Sequence, residues 1–154
     1  MQDAVAVQPI PLKELQNKDL TITVKSKVNK FHKGALASIS LRFENNEGNF
    51  LSFLKKDSIV SDKWQEYSIS GKVPANATSG LIILAFRGYG EAFFDDVKVT
   101  YKDKKSIKSL TVNNPSFEQV LQFNNSNWMT TNETYSNGYM LDYSFNESVD
   151  GKQS

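Results

Sequence analysis

The sequence predicts an all-β fold, an antiparallel sandwich or barrel. Three observations point there: apolar residues recur with period two, the segments carrying that period are short, and Gly, Pro and Asn punctuate them at regular spacing. No segment holds a helical period for long. The 154 residues are 39% hydrophobic and 12% aromatic, enough for one core but not for a second independent one.

The elements follow in order. Residues 20–28 place Leu20, Ile22, Val24 and Val28 toward one side, with Thr and Lys toward the other. Residues 35–43 do the same with Ala35, Ala37, Ile39, Leu41 and Phe43 against Ser38, Ser40 and Arg42. Residues 44–48 read as a turn, because Asn and Gly accept positive φ cheaply, and 49–54 return as a strand. Further strands are expected at 64–70, 81–87 and 92–101, with Gly88-Tyr-Gly90 as a hairpin turn between the last two. Residues 12–17, after Pro11, fit one turn of helix.

Composition then shifts. Four lysines in residues 102–108 read as a solvated connector. From Leu110 onward the chain is rich in Asn, Ser, Thr and Tyr, and about 45 residues of this kind cannot build a core alone. The expected organisation is a main part at 1–101, a connector at 102–113, and strands at 114–154 that complete the same sandwich or open a second repeat.

Charge and composition exclude several function classes. Eighteen Lys and Arg against 17 Asp and Glu leave a net charge of +1, which lacks the basic surplus that phosphate-backbone binding demands. One histidine and no cysteine exclude a His/Cys zinc site, a cysteine nucleophile, a disulfide framework and an iron–sulfur cluster. No apolar run approaches the roughly 20 residues of a membrane-spanning helix. The first residues lack a basic and apolar leader pattern, so no signal peptide is expected within this stretch. His32 has no serine or carboxylate partner at a recognisable spacing and reads as a surface residue. No paired carboxylates or nucleophile–base arrangement argues for catalysis.

Two passages carry a family resemblance. Trp64-Gln-Glu-Tyr67, Val73-Pro74 and Phe93-Phe-Asp-Asp-Val-Lys-Val99 resemble the second half of the galactose-binding-like jelly roll. Asn114-Pro-Ser-Phe-Glu118, Trp128 and Gly151-Lys-Gln-Ser154 resemble its opening. Carbohydrate-binding modules of families 4 and 22 are similar, as are accessory domains of bacterial C-terminal-processing-type peptidases and of erythromycin-esterase-like proteins. The motif order is reversed, because the closing motif precedes the opening one. A circular permutant and a window from a tandem array both produce that order. Each piece alone would expose a hydrophobic face and unpaired edges, which favours one closed domain, intramolecular or strand-exchanged with a second copy.

The resemblance implies an exported bacterial protein, secreted, periplasmic or cell-surface, in which this module accompanies a catalytic domain. It implies a non-catalytic carbohydrate- or glycan-binding role, with a structural or protein-interaction role for an attached hydrolase as the alternative. It also implies a structural calcium held by Asp95, Glu118 and the carbonyl of Lys152, hard oxygen donors suited to that ion. Backbone amides or a lysine would satisfy a buried Asp95 equally well. For a sugar ligand, the outward faces of the second and fifth strands read above offer Arg42 and Arg87. Tyr89, Trp128, Tyr135 and Tyr139 are the candidate aromatic walls, Trp128 being equally readable as core. Trp64 and Tyr67 read as packing residues.

Overall fold

A computed structural model describes residues 4–113, 115–117 and 128–130. Two antiparallel sheets face each other, as the period-two pattern predicts. The first sheet has the order β4-β3-β6-β1-β9, built from β1 (Ala4–Pro11), β3 (Leu36–Glu44), β4 (Phe50–Ile59), β6 (Ser79–Arg87) and the two-residue β9 (Met129–Thr130). The second has the order β5-β2-β7-β8, from β2 (Asp19–Lys30), β5 (Gln65–Lys72), β7 (Gly90–Asp103) and β8 (Ser106–Leu110). One turn of 3-10 helix, Lys13–Leu15, falls within the helical turn expected after Pro11.

The faces follow the alternation. Leu20, Ile22, Val24 and Val28 of β2 are buried against Ile39, Leu41 and Phe43 of β3 and Ile82 and Leu84 of β6 in a single cluster. Each such Leu or Ile contributes about 1.5–3 kcal/mol by leaving water, which is why the sheets stack apolar face to apolar face. Arg42 and Arg87 consequently lie on the outer face of the first sheet.

Four features differ from the sequence expectation. First, β1 is a full strand paired along β6 from Ala4↔Phe86 to Pro11↔Ser79. Its outer face, Val5 and Val7, is as apolar as its inner one, and its inner face carries buried Gln8, so the alternation signal vanishes. Second, the lysine-rich connector folds back. Lys104 at φ 57° turns the chain and β8 pairs with the end of β7, its side chains largely in water, which explains its polar composition.

Third, Gly88-Tyr-Gly90 is a corner and not a hairpin turn, since β6 and β7 belong to different sheets. The crossings at residues 31–35, 60–64 and 88–89 gather at one end of the sandwich, tied by Phe31 N–H to the Tyr89 carbonyl at 3.0 Å and Val28 N–H to the Ser61 carbonyl at 2.7 Å. Fourth, β7 carries a bulge at Asp95 and Asp96, the latter at φ 53°. Strict alternation would put Phe93, Asp95, Val97 and Val99 on the inner face and Phe94, Asp96 and Lys98 on the outer one. Val97 and Val99 are buried and Asp95 is 2% exposed, but the bulge breaks the alternation, leaving Phe94 against the core and Phe93 outward.

The described residues of the C-terminal stretch pack on this sandwich in the same chain. The Pro115 carbonyl accepts from Val97 N–H at 2.9 Å, Phe117 stacks on Trp128 with centroids 5.1 Å apart, and β9 pairs with Ala6 and Val7 of β1.

Candidate functional site

The outer face of the first sheet holds the best-formed cluster. On β3, Leu41 and Phe43 point inward, so Arg42 between them points out, directly opposite Phe53 of β4. A bulge at the Phe43/Glu44 register step brings Phe50 opposite Glu44, so Phe50 and Phe53 share a face despite their odd spacing. Their ring centroids are 6.2 Å apart, and the Arg42 guanidinium lies 5.3 Å from the Phe50 centroid. Phe50 and Phe53 are 52% and 57% exposed.

Arg42 is held from a second side. Its Nε stands 2.8 Å from Glu44 Oε1, close enough for an ion pair but not aligned for a hydrogen bond. That Nε is shielded from water and has no hydrogen-bond partner among the described residues. Two aromatic faces, a fixed guanidinium and a carboxylate therefore stand together on a strand pair. Such a set can stack on an apolar ring face and hydrogen-bond to neighbouring hydroxyls.

Arg87 shares this face but not this cluster. It pairs with Leu36, whereas Arg42 pairs with Leu81, so roughly 20 Å of strand separates them at about 3.3 Å per residue. Between them the outward positions of β6 and β1 are aliphatic: Leu81, Ile83, Ala85, Val5 and Val7.

The other expected site residues scatter. Tyr89 is 73% exposed at the crossing end, beyond Arg87. Trp128 is 4% exposed against Phe117, a packing position and not an exposed aromatic wall. Tyr135 and Tyr139 lie outside the described residues. Asp95 is buried, with its Oδ1 accepting from Asp96 N–H at 2.7 Å. Glu118 and Lys152 lie outside the described residues, so Asp95 is the one described member of the calcium set. No group of three metal-ligating side chains occurs among the described residues.

Sequence reading missed two groups. Phe50 and Phe53 were legible as strand residues, but their shared face depends on a bulge that alternation does not announce. On the second sheet, Lys27 lies over the rings of Trp64, at 5.9 Å, and Phe93, at 5.1 Å, with Asn29 Nδ2 donating to Glu91 Oε2 at 3.2 Å one row further on. The bulge in β7 again creates that row. Trp64 is thus a surface-row residue, whereas Tyr67 packs on the core as expected.

No family model matches the sequence, and no curated protein matches it. Among solved structures, the chain is similar to the enzymatically active domain of tailspike protein 4 of bacteriophage CBA120, with TM-score 0.54 and 19% identity. A structure described as "CBM4 structure and function" is similar with TM-score 0.42 and 21% identity. The matches cover 63% and 62% of this chain, and 13% and 59% of those two chains. The tailspike likeness is one of fold.

Proposed function

We propose that this β-sandwich is a non-catalytic carbohydrate-binding module, and that its ligand lies across the Arg42–Phe50–Phe53 cluster. The observation that carries this reading is the guanidinium fixed between an exposed phenyl ring and a carboxylate, beside a second exposed ring. Folding gains little from two half-exposed phenyl groups, whereas a pyranose ring with an apolar face and equatorial hydroxyls uses both parts of the cluster. The motif resemblance to family 4 and 22 carbohydrate-binding modules supports the same ligand class. Affinity electrophoresis through gels containing single soluble polysaccharides, run beside a known binding module, tests it. Retardation by at least one polysaccharide is expected.

A second reading, a structural or protein-interaction role beside an attached catalytic domain in an exported bacterial protein, rests on the motif resemblance to peptidase and esterase accessory domains. Under either reading, residues 114–154 complete the sandwich of residues 1–101 in permuted order, supported by the contacts of Pro115, Phe117 and Trp128. Calcium at Asp95, with Glu118 and the Lys152 carbonyl, remains part of the proposal on the motif resemblance.

A further inference from the structure

Phe31 and Tyr89 sit at the crossing end of the sandwich, far from the Arg42 end of the first sheet. They are 74% and 73% exposed, the most exposed large apolar side chains described there. Their backbones are joined, Phe31 N–H donating to the Tyr89 carbonyl at 3.0 Å.

Both backbone supports are sterically constrained. Tyr89 stands between Gly88 at φ 103° and Gly90 at φ 143°, conformations that side-chain-bearing residues rarely adopt. A Cβ on Gly88 would lie 2.8 Å from Ala35 Cα, and one on Gly90 would lie 2.2 Å from the Asn29 carbonyl oxygen. The Phe31 loop is closed by Ala35 N–H to the His32 carbonyl and Gly34 N–H to His32 Nδ1, each at 3.1 Å. The chain thus holds two aromatic residues in fixed places and leaves their rings in water. With the backbone set at both positions, binding has only the rotamers of the two rings left to order, which limits its entropic cost.

Size decides the class of ligand. Two aromatic side chains offering about three quarters of their surface supply roughly 300 Å², well below the roughly 800 Å² per partner of a stable protein interface. One or two sugar rings fit that area. Asn29 and Glu91, two residues before Phe31 and two after Tyr89, add a half-buried amide and an exposed carboxylate, bonded to each other, beside the rings for hydroxyl groups. The pair projects from loop tips and not from a groove, so a long chain gains nothing by lying across it.

We infer that the Phe31–Tyr89 tip is a second glycan subsite, separate from the Arg42 cluster, that takes terminal sugar units of a glycan; the inference rests on the carbohydrate reading above. The test is two-dimensional NMR of the full chain titrated with methyl pyranosides of glucose, galactose, mannose and xylose and their common disaccharides. At least one saccharide at millimolar concentration should shift the Phe31 and Tyr89 ring signals. Phe31→Ala and Tyr89→Ala should each weaken that response about tenfold or more, the loss of roughly 1.4 kcal/mol, while Arg42→Ala leaves it unchanged. Gly90→Ala keeps both rings but disturbs their support, and should weaken the response as well.

Polysaccharide retention in the gel with no saccharide response at the tip would overturn this inference and leave the proposed function standing. A response that survives Tyr89→Ala and Phe31→Ala would also overturn it, as would self-association abolished by Tyr89→Ala, which would put a second copy on the tip. Failure of both gel and titration would remove both readings together.

Discussion

Gln8 and Asn113 exchange two hydrogen bonds: Gln8 Nε2 donates to the Asn113 carbonyl and Gln8 Oε1 accepts from Asn113 N–H, each at 2.9 Å. Gln8 is 1% exposed on the inner face of β1, where an apolar residue would be the default. Its amide mimics a strand backbone and captures the chain as it leaves β8 for the C-terminal stretch. Gln8→Leu should keep the volume and lose the clasp, at a cost of about 1–3 kcal/mol for unpartnered groups. A denaturant titration measures it directly.

Trp128 provides the stronger test of whether the C-terminal stretch belongs to this core. Trp128→Ala should destabilise the protein by about 3–5 kcal/mol, as for other buried large aromatics. Exposed Phe53→Ala should change stability by less than about 0.5 kcal/mol, like other surface substitutions. Thermal melts of the two variants side by side check both values.

Two carboxylates couple stability to acid pH. Burial at the β7 bulge pushes Asp96 up, but hydrogen bonds from Lys98 and Lys25 outweigh it and hold the carboxyl below its usual range. Lys108, then Lys18, hold Asp103 below its usual range likewise. As pH falls the unfolded chain therefore takes up protons before the folded one. Their contribution to stability is present above about pH 4, the ordinary carboxylate value, and is lost as pH falls through the lower folded values. Urea midpoints should drop between pH 5 and pH 3, and the drop should be smaller in Asp96→Asn.

Calcium linkage tests the resemblance-based metal. If calcium binds, the thermal midpoint at about 100 times its dissociation constant should rise by the equivalent of about 2.7 kcal/mol over the chelated protein. Asp95→Asn should remove that rise. Superposed melts with calcium and with chelator would contradict the metal.

How far the sequence carried these conclusions depended on regularity. The core strands were legible because Leu20 through Val28 and Ala35 through Phe43 obey a strict period of two, and that period alone placed Arg42 outward. β1 escaped because Val5 and Val7 make both its faces apolar, and β8 because an exposed edge strand needs no apolar side. The site was less legible. Phe50 and Phe53 share a face through a bulge, Phe93 faces out through another, and Phe31 meets Tyr89 only because two crossings between the sheets end side by side. Each depends on a departure from regular geometry, which carries no periodic signal.

Gel retardation of matched variants reads out the proposed sugar site on the outer face of β3 and β4. Wild type should be retarded by at least one soluble polysaccharide, and Arg42→Ala and Phe53→Ala should each lose affinity about tenfold or more, the effect of removing a binding hot spot, with unchanged melting. Equal retardation of wild type and both variants would contradict the assignment of the site. No retardation of wild type, while a known binding module in the same gels is held back, would contradict the function.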